Sequence, residues 1–212
     1  MIVGQGASHV RDHQGMPCMK RTTGTRLALM ALLCAAAGPP PEAERIVPGE
    51  RAGFVTDGAG GCWLWAGGIR AGAQDLTANW SGACPDGPAE GQGRGEIRWR
   101  EGGVLRAMIF EGTLRGGKSE GKGRLTITAG KDVVAVQDGQ FRNDLFVSGR
   151  VELPGAGIVY EGGWARAHPE GHGRLIVNGR IIEGRWRNGC LRTRGGWVAF
   201  TRPAQECEGT DT

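Results

Sequence analysis

The sequence predicts an all-β fold: an elongated, open antiparallel sheet of consecutive β-hairpins, with a small disulfide-tied cap at each end. Three observations carry the prediction. A glycine-spaced pattern is stated nearly twice between Tyr160 and Gly189 and in looser form upstream. Glycine supplies 40 of the 212 residues, too many for any stretch to read as an amphipathic helix. Four cysteines outside the leader, Cys62, Cys84, Cys190 and Cys207, flank the patterned region in two pairs.

The pattern has a physical reading. With Tyr160 as position zero, large apolar residues fall at offsets 0 and 4 and glycines at 2, 11 and 13, with an apolar residue at 15; Tyr160, Trp164, Gly162, Gly171, Gly173 and Leu175 fill these places. Offsets 0, 2 and 4 share one face of a strand, so two large side chains flank a glycine that leaves room for a ring. Glycines at 7 and 11 bracket a turn, and the chain then alternates again as a return strand. Each copy is a hairpin, and hairpins that are marginal alone gain stability by stacking edge to edge.

The pattern resembles the MORN repeat, Tyr-x-Gly-x-Trp-x-x-Gly-x-x-x-Gly-x-Gly. The resemblance runs from Trp80 to Gly189, with copies starting at Trp80, Phe110, Gln137, Tyr160 and Ile182, spaced 30, 27, 23 and 22 residues. The first keeps Gly82, Gly91 and Gly93 and replaces the usual Trp with Cys84; the second keeps Gly112, Leu114, Gly121, Gly123 and Leu125. The third is weaker: Gly139 and Phe141 are in place, but Gly149 comes one residue late, as though the loop carried an insertion. The fifth has Gly184 and Trp186 before it stops. The family resemblance implies a scaffold or binding role, membrane-associated assembly, lipid contact or dimerisation rather than catalysis.

Upstream lies a different kind of sequence. Lys20, Arg21 and Arg26 precede the apolar run Leu27 to Ala37, which ends in small residues before Gly38 and three prolines, the pattern of a secretory signal peptide ending near Ala37. Eleven apolar residues are too few to span a bilayer, which takes about 20. A start at Met19 would give a leader of ordinary length, and Leu33 before Cys34 departs from the small residue that lipid attachment wants. The expected location is therefore periplasmic or secreted. Without residues 1–37, 22 basic and 21 acidic residues remain, so the basic balance belongs to the leader and gives no support to nucleic-acid binding.

Residues 38–53, rich in Pro, Glu and Ala, read as a flexible segment, and 54–79 as an N-terminal cap in which Cys62, Trp63 and Trp65 mark a strand and 66–76 a loop. The repeats fill 80–190, and 191–212 form a C-terminal cap around Trp197 to Thr201. Three cysteine pairings are possible. Sequence proximity favours Cys62 with Cys84 and Cys190 with Cys207, and no C-x-x-C pair suggests zinc.

Motifs that could carry chemistry dissolve in context. Gly112 to Ser119 spells a phosphate-loop pattern, but Gly121 and Gly123 follow it where a helix should start, so no nucleotide is expected. Gly91, Gly93 and Gly95 miss the dinucleotide fingerprint, and Asn79-Trp80-Ser81 fits a glycosylation acceptor by chance. His168 and His172 lie on a hairpin loop without a third ligand. Glu111, Glu161 and Glu183 each follow a repeat start and read as outward strand positions opposite arginines. No catalytic, metal or cofactor set emerges. The expected function is a non-enzymatic exported binding or scaffold module of the cell envelope, meeting a protein, polymer or lipid surface or a second copy of itself. The rival reading is an envelope hydrolase with a site built on unrecognised loops. With no second layer evident to cover the apolar face, part of that face is expected to stay exposed.

Overall fold

In a computed structural model, residues 38–41, 45, 52–58, 61–70 and 72–208 are described; the expected signal peptide, Cys34 and the alternative start at Met19 lie outside them. Thirteen strands follow in chain order: β1 (Ala52–Thr56), β2 (Trp63–Gly67), β3 (Gln74–Trp80), β4 (Gly91–Glu101), β5 (Val104–Arg115), β6 (Lys118–Ala129), β7 (Asp132–Arg142), β8 (Leu145–Leu153), β9 (Ile158–Ala165), β10 (His168–Val177), β11 (Arg180–Trp186), β12 (Cys190–Thr193) and β13 (Gly196–Ala199). Strands β3 to β11 form one nine-stranded antiparallel sheet in strict sequence order, open at β3 and β11, while β1–β2 and β12–β13 are separate hairpins. No helix among the described residues is long and apolar enough to cross a membrane.

Three rows of residues, each running across the strands, explain why this sequence makes this sheet. In the first, Gly93, Gly112, Gly123, Gly139, Gly149, Gly162, Gly173 and Gly184 are cross-strand partners in succession from β4 to β11. The row is a trench for rings. A methyl group on Gly93 would come within 2.6 Å of Trp80, one on Gly123 within 2.5 Å of Phe110, and one on Gly173 would strike the Tyr160 hydroxyl. Beside it Gly95, Phe110, Leu125, Gln137, Val151, Tyr160, Leu175 and Ile182 form an apolar row broken by one amide. Rings from this row, from offset 4 and, in Phe146, from offset 9 meet edge to face: Phe110 on Phe141 at 5.3 Å, Phe141 on Phe146 at 5.2 Å, and Tyr160 on Trp186 at 5.6 Å, contacts worth about 0.5–1.5 kcal/mol each beyond their burial.

The opposite face carries a third row, Arg94, Glu111, Arg124, Asp138, Arg150, Glu161, Arg174 and Glu183, in which the sign of charge alternates at every strand. Glu161 is gripped by Arg174 and by Arg150, the latter at 2.5 Å, and Arg124 meets Asp138 at 2.9 Å. The glutamates after each repeat start thus stand on the outward face. Exposed pairs of this kind contribute roughly 0–1 kcal/mol each.

The structure corrects four expectations. The caps are the second layer that the sequence did not reveal: β1–β2 folds back so that Leu64 sits 2.8 Å from where a side chain on Gly95 would begin, and the Trp65 N–H donates to the Gly117 carbonyl at 2.8 Å. At the other end Leu191 covers Gly184, and Phe200 lies 5.9 Å from Tyr160. The loop expected over 66–76 is shorter, because β2 runs to Gly67 and β3, with Leu76 half-buried, begins at Gln74 as the edge of the main sheet. Within 38–53, Pro40 is buried and Arg45 bridges to Phe54. Finally, Gly149 sits in the glycine row opposite Gly139 and Gly162. The third copy has a bulge one residue shorter than those of β6 and β10, so it carries a deletion where an insertion was expected.

Candidate functional site

Hairpins β5–β6, β7–β8 and β9–β10 turn through two-residue tips in which both residues have positive φ: Gly116-Gly117, Asn143-Asp144 and Arg166-Ala167. Such tips match the twist of the strands they join. The first two, and the later turn at Asn188-Gly189, are fastened from behind by a device at offsets 9 and 10. Glu90 accepts the N–H of Gly116 at 2.6 Å, Glu120 that of Asn143 at 2.9 Å, and Glu170 that of Asn188 at 2.8 Å. The carbonyls of Ala89, Ser119 and Pro169 accept the next N–H along, from Gly117, Asp144 and Gly189. In the third copy the place of the glutamate belongs to Val147, and the Arg166-Ala167 tip makes neither bond among the described residues. The motifs AEG, SEG and PEG at 89–91, 119–121 and 169–171 state this device in the sequence, where it passed unread.

The third copy also has Gln137 at offset 0, where its neighbours have Phe110 and Tyr160. A side chain smaller than a ring leaves the apolar face unfilled at the centre of the sheet, between the two caps. The result is a groove of about 620 Å³ floored by Met108, Phe110, Leu125, Ile127, Phe146 and Trp164, with Leu64 and Trp65 of β2 at one end. Beyond Trp164, Phe200 of the C-terminal cap stands 6.0 Å away. The size and the apolar lining with few polar groups suit a bound organic chain.

Apart from Gln137 on the floor, the polar groups of the groove lie along the tips. Asp144 accepts hydrogen bonds from the Ser119 hydroxyl at 2.8 Å and from the Ser119 N–H at 3.4 Å. Burial pushes its pKa up, against the pull of those bonds and of Lys118. Lys118 Nζ sits over the Trp65 ring, 4.3 Å from its centroid. Leu145, at the rim, is 65% exposed. Compared with known proteins, the chain matches no family model and no curated relative.

The residues singled out in the sequence are placed as follows. Cys62 joins Cys84 and Cys190 joins Cys207, each with Cα atoms 5.6 Å apart, one bridge at each cap and neither in the groove. Two disulfides are compatible with an oxidising, exported location. Of the repeat-defining residues, Trp80, Phe110, Tyr160 and Trp186 are buried, while Trp164 is half-buried on the groove floor. Gly82 lies against the Trp80 ring, and Gly121 and Gly171 take positive φ in open space. Burial and then the charge of Glu170 push the Tyr160 phenol up to about 12, which suits a buried hydroxyl donating to the Gly163 carbonyl at 3.2 Å.

The segment 112–119 is the tip of a hairpin. The Gly116 and Gly117 amides, which a phosphate cradle would need, already donate to Glu90 and to the Ala89 carbonyl. Ser119 is 4% exposed and its hydroxyl donates a hydrogen bond to Asp144. His168 contacts the Thr201 hydroxyl at 2.7 Å and Arg202 at 3.3 Å, which holds the C-terminal cap to β10, and His172 is exposed. Burial, then Arg202, lowers the His168 pKa. Among the described residues no group of three or more His, Cys, Asp or Glu could hold a metal ion.

Proposed function

We propose that this chain is a MORN-type, non-enzymatic binding module of the cell envelope, exported by its leader and receiving its partner in the groove over the third hairpin. One observation carries the reading. The apolar face is filled by rings in the neighbouring copies and covered by a cap at each end, yet it is left open where Gln137 and Val147 depart from the repeat. An open apolar trough bounded by covered surface marks an association site. The groove's only carboxylate and hydroxyl are occupied with each other, so the surface offers contact more readily than acid–base chemistry.

The test is a photo-crosslinking amino acid at Leu145, on the rim, with Thr126 on the opposite face as control, in intact cells. Capture of an envelope component from Leu145 but not from Thr126, lost when Gln137→Trp fills the floor, supports the reading. Capture that ignores Gln137→Trp in a folded variant overturns it.

A further inference from the structure

We infer that the groove takes a long-chain fatty carboxylate as a monomer, its acyl chain laid across the strands and its head at the Arg166-Ala167 tip. The inference rests on the groove being the binding surface and names what it binds. The shape comes first. Lining residues run from Ile97 on β4 to Trp164 on β9, five inter-strand steps of about 4.8 Å or roughly 24 Å in all. That is a trough for something long and narrow.

The chemistry of the floor narrows the occupant. Gln137 is the only polar member of its row, and its amide has no hydrogen-bond partner among the described residues. The backbone groups beneath are paired in the strand ladders, so an extended peptide laid on this face would find no main-chain partners. A glycan would bring hydroxyls to a surface that offers them almost no partners. A hydrocarbon chain needs none. A bilayer surface would be held away from the floor by β2 at one end and by Phe200 beyond Trp164 at the other.

The tip gives the head its place. Arg166-Ala167 is the one groove tip without the two fastenings that hold Gly116-Gly117 and Asn143-Asp144, so it is the lip freest to part and admit a chain. Arg166 is exposed and has no ion-pair partner among the described residues, whereas Lys118 is engaged with Trp65. The one acid in the lining, Asp144, is engaged by the Ser119 hydroxyl and N–H.

The experiment uses the mature chain stripped of lipid and titrated with cis-parinarate, a fluorescent fatty carboxylate. Saturable one-to-one binding is expected. Gln137→Trp should weaken it about tenfold or more, and Arg166→Asn, which suits the left-handed backbone there, about fivefold for the acid while leaving the methyl ester unchanged. A series from octanoate to oleate on the unaltered protein needs no variant: affinity should climb with chain length and level off where the trough ends. The proposal falls if parinarate does not saturate, if acid and ester bind alike, or if binding appears only with vesicles of mixed phosphatidylethanolamine and phosphatidylglycerol. If parinarate fails while capture from Leu145 still depends on Gln137, the ligand class is wrong and the groove reading survives; if capture also ignores Gln137, both are wrong.

Discussion

Replacing Gly123 by Ala tests whether the glycine row exists to seat rings. Its backbone is in an ordinary extended region, so a methyl group there brings no conformational strain of its own. The new carbon would lie 2.5 and 2.6 Å from two atoms of the Phe110 ring. The ring cannot retreat freely, because Phe141 packs against it with centroids 5.3 Å apart and it is only 8% exposed. Overpacking of a tight site costs about 1–3 kcal/mol, and here the upper part of that range applies. For a domain of this size, that lowers the melting temperature by roughly 4–12 °C. Phe110→Leu alone should cost about 1.5 kcal/mol, but it also removes the ring atoms that the added methyl group would strike. The pair should therefore be less destabilising than the sum by about 1 kcal/mol or more. Urea titrations followed by tryptophan fluorescence and circular dichroism would read all four corners of the cycle. Gly155→Ala, whose added carbon would meet nothing within 4 Å, is the control and should shift stability by less than about 0.5 kcal/mol. Strict additivity of Gly123→Ala and Phe110→Leu would refute the account of the row.

Two further outcomes separate structural from groove positions. Trp186, fully buried with its indole N–H on the Gly173 carbonyl at 3.1 Å, should cost about 3–5 kcal/mol on replacement by Ala, whereas half-buried Trp164 should cost clearly less; equal thermal shifts would contradict this placement of the two rings. For Asp144, burial raises the folded pKa above its ordinary 3.8, so its contribution is full below that pH and is lost as pH rises through the folded value. Asp144→Asn keeps an acceptor for Ser119 and suits the positive φ, so it should gain on the parent as pH rises from 3.8 through the folded value and hold that advantage above it, and parallel stability curves would count against the buried carboxylate.

The hairpin register and the outward glutamates were legible because each depends on spacing along one strand pair, and the capping disulfides because each joins cysteines close in sequence. Tyr160 and Leu175, offsets 0 and 15, are cross-strand partners for that reason. The groove was not legible, because it arises between elements far apart in the chain: Leu64 and Phe200 reach the sheet from opposite termini, and no local period announces that they turn back onto it. The third copy looked merely degenerate. Only the fold shows that Gln137 and Val147 coincide with an unfilled floor and an unfastened tip, and that the displaced Gly149 records a shortened bulge.

The alternating charges on the outer face constrain how such a chain can grow or shrink. From β5 to β11 every odd-numbered strand brings an anion to the row, and from β4 to β10 every even-numbered strand brings a cation. Loss or duplication of a whole hairpin keeps unlike charges adjacent. Loss of a single strand would set arginine beside arginine, or glutamate beside aspartate, while also reversing the direction of every later strand. Slipping one strand by two residues would break its charge contacts without turning its apolar side chains outward. The row therefore resembles a parity check on the sheet, written in charge, which favours the gain or loss of whole hairpins over that of single strands by the modest energy of its exposed pairs.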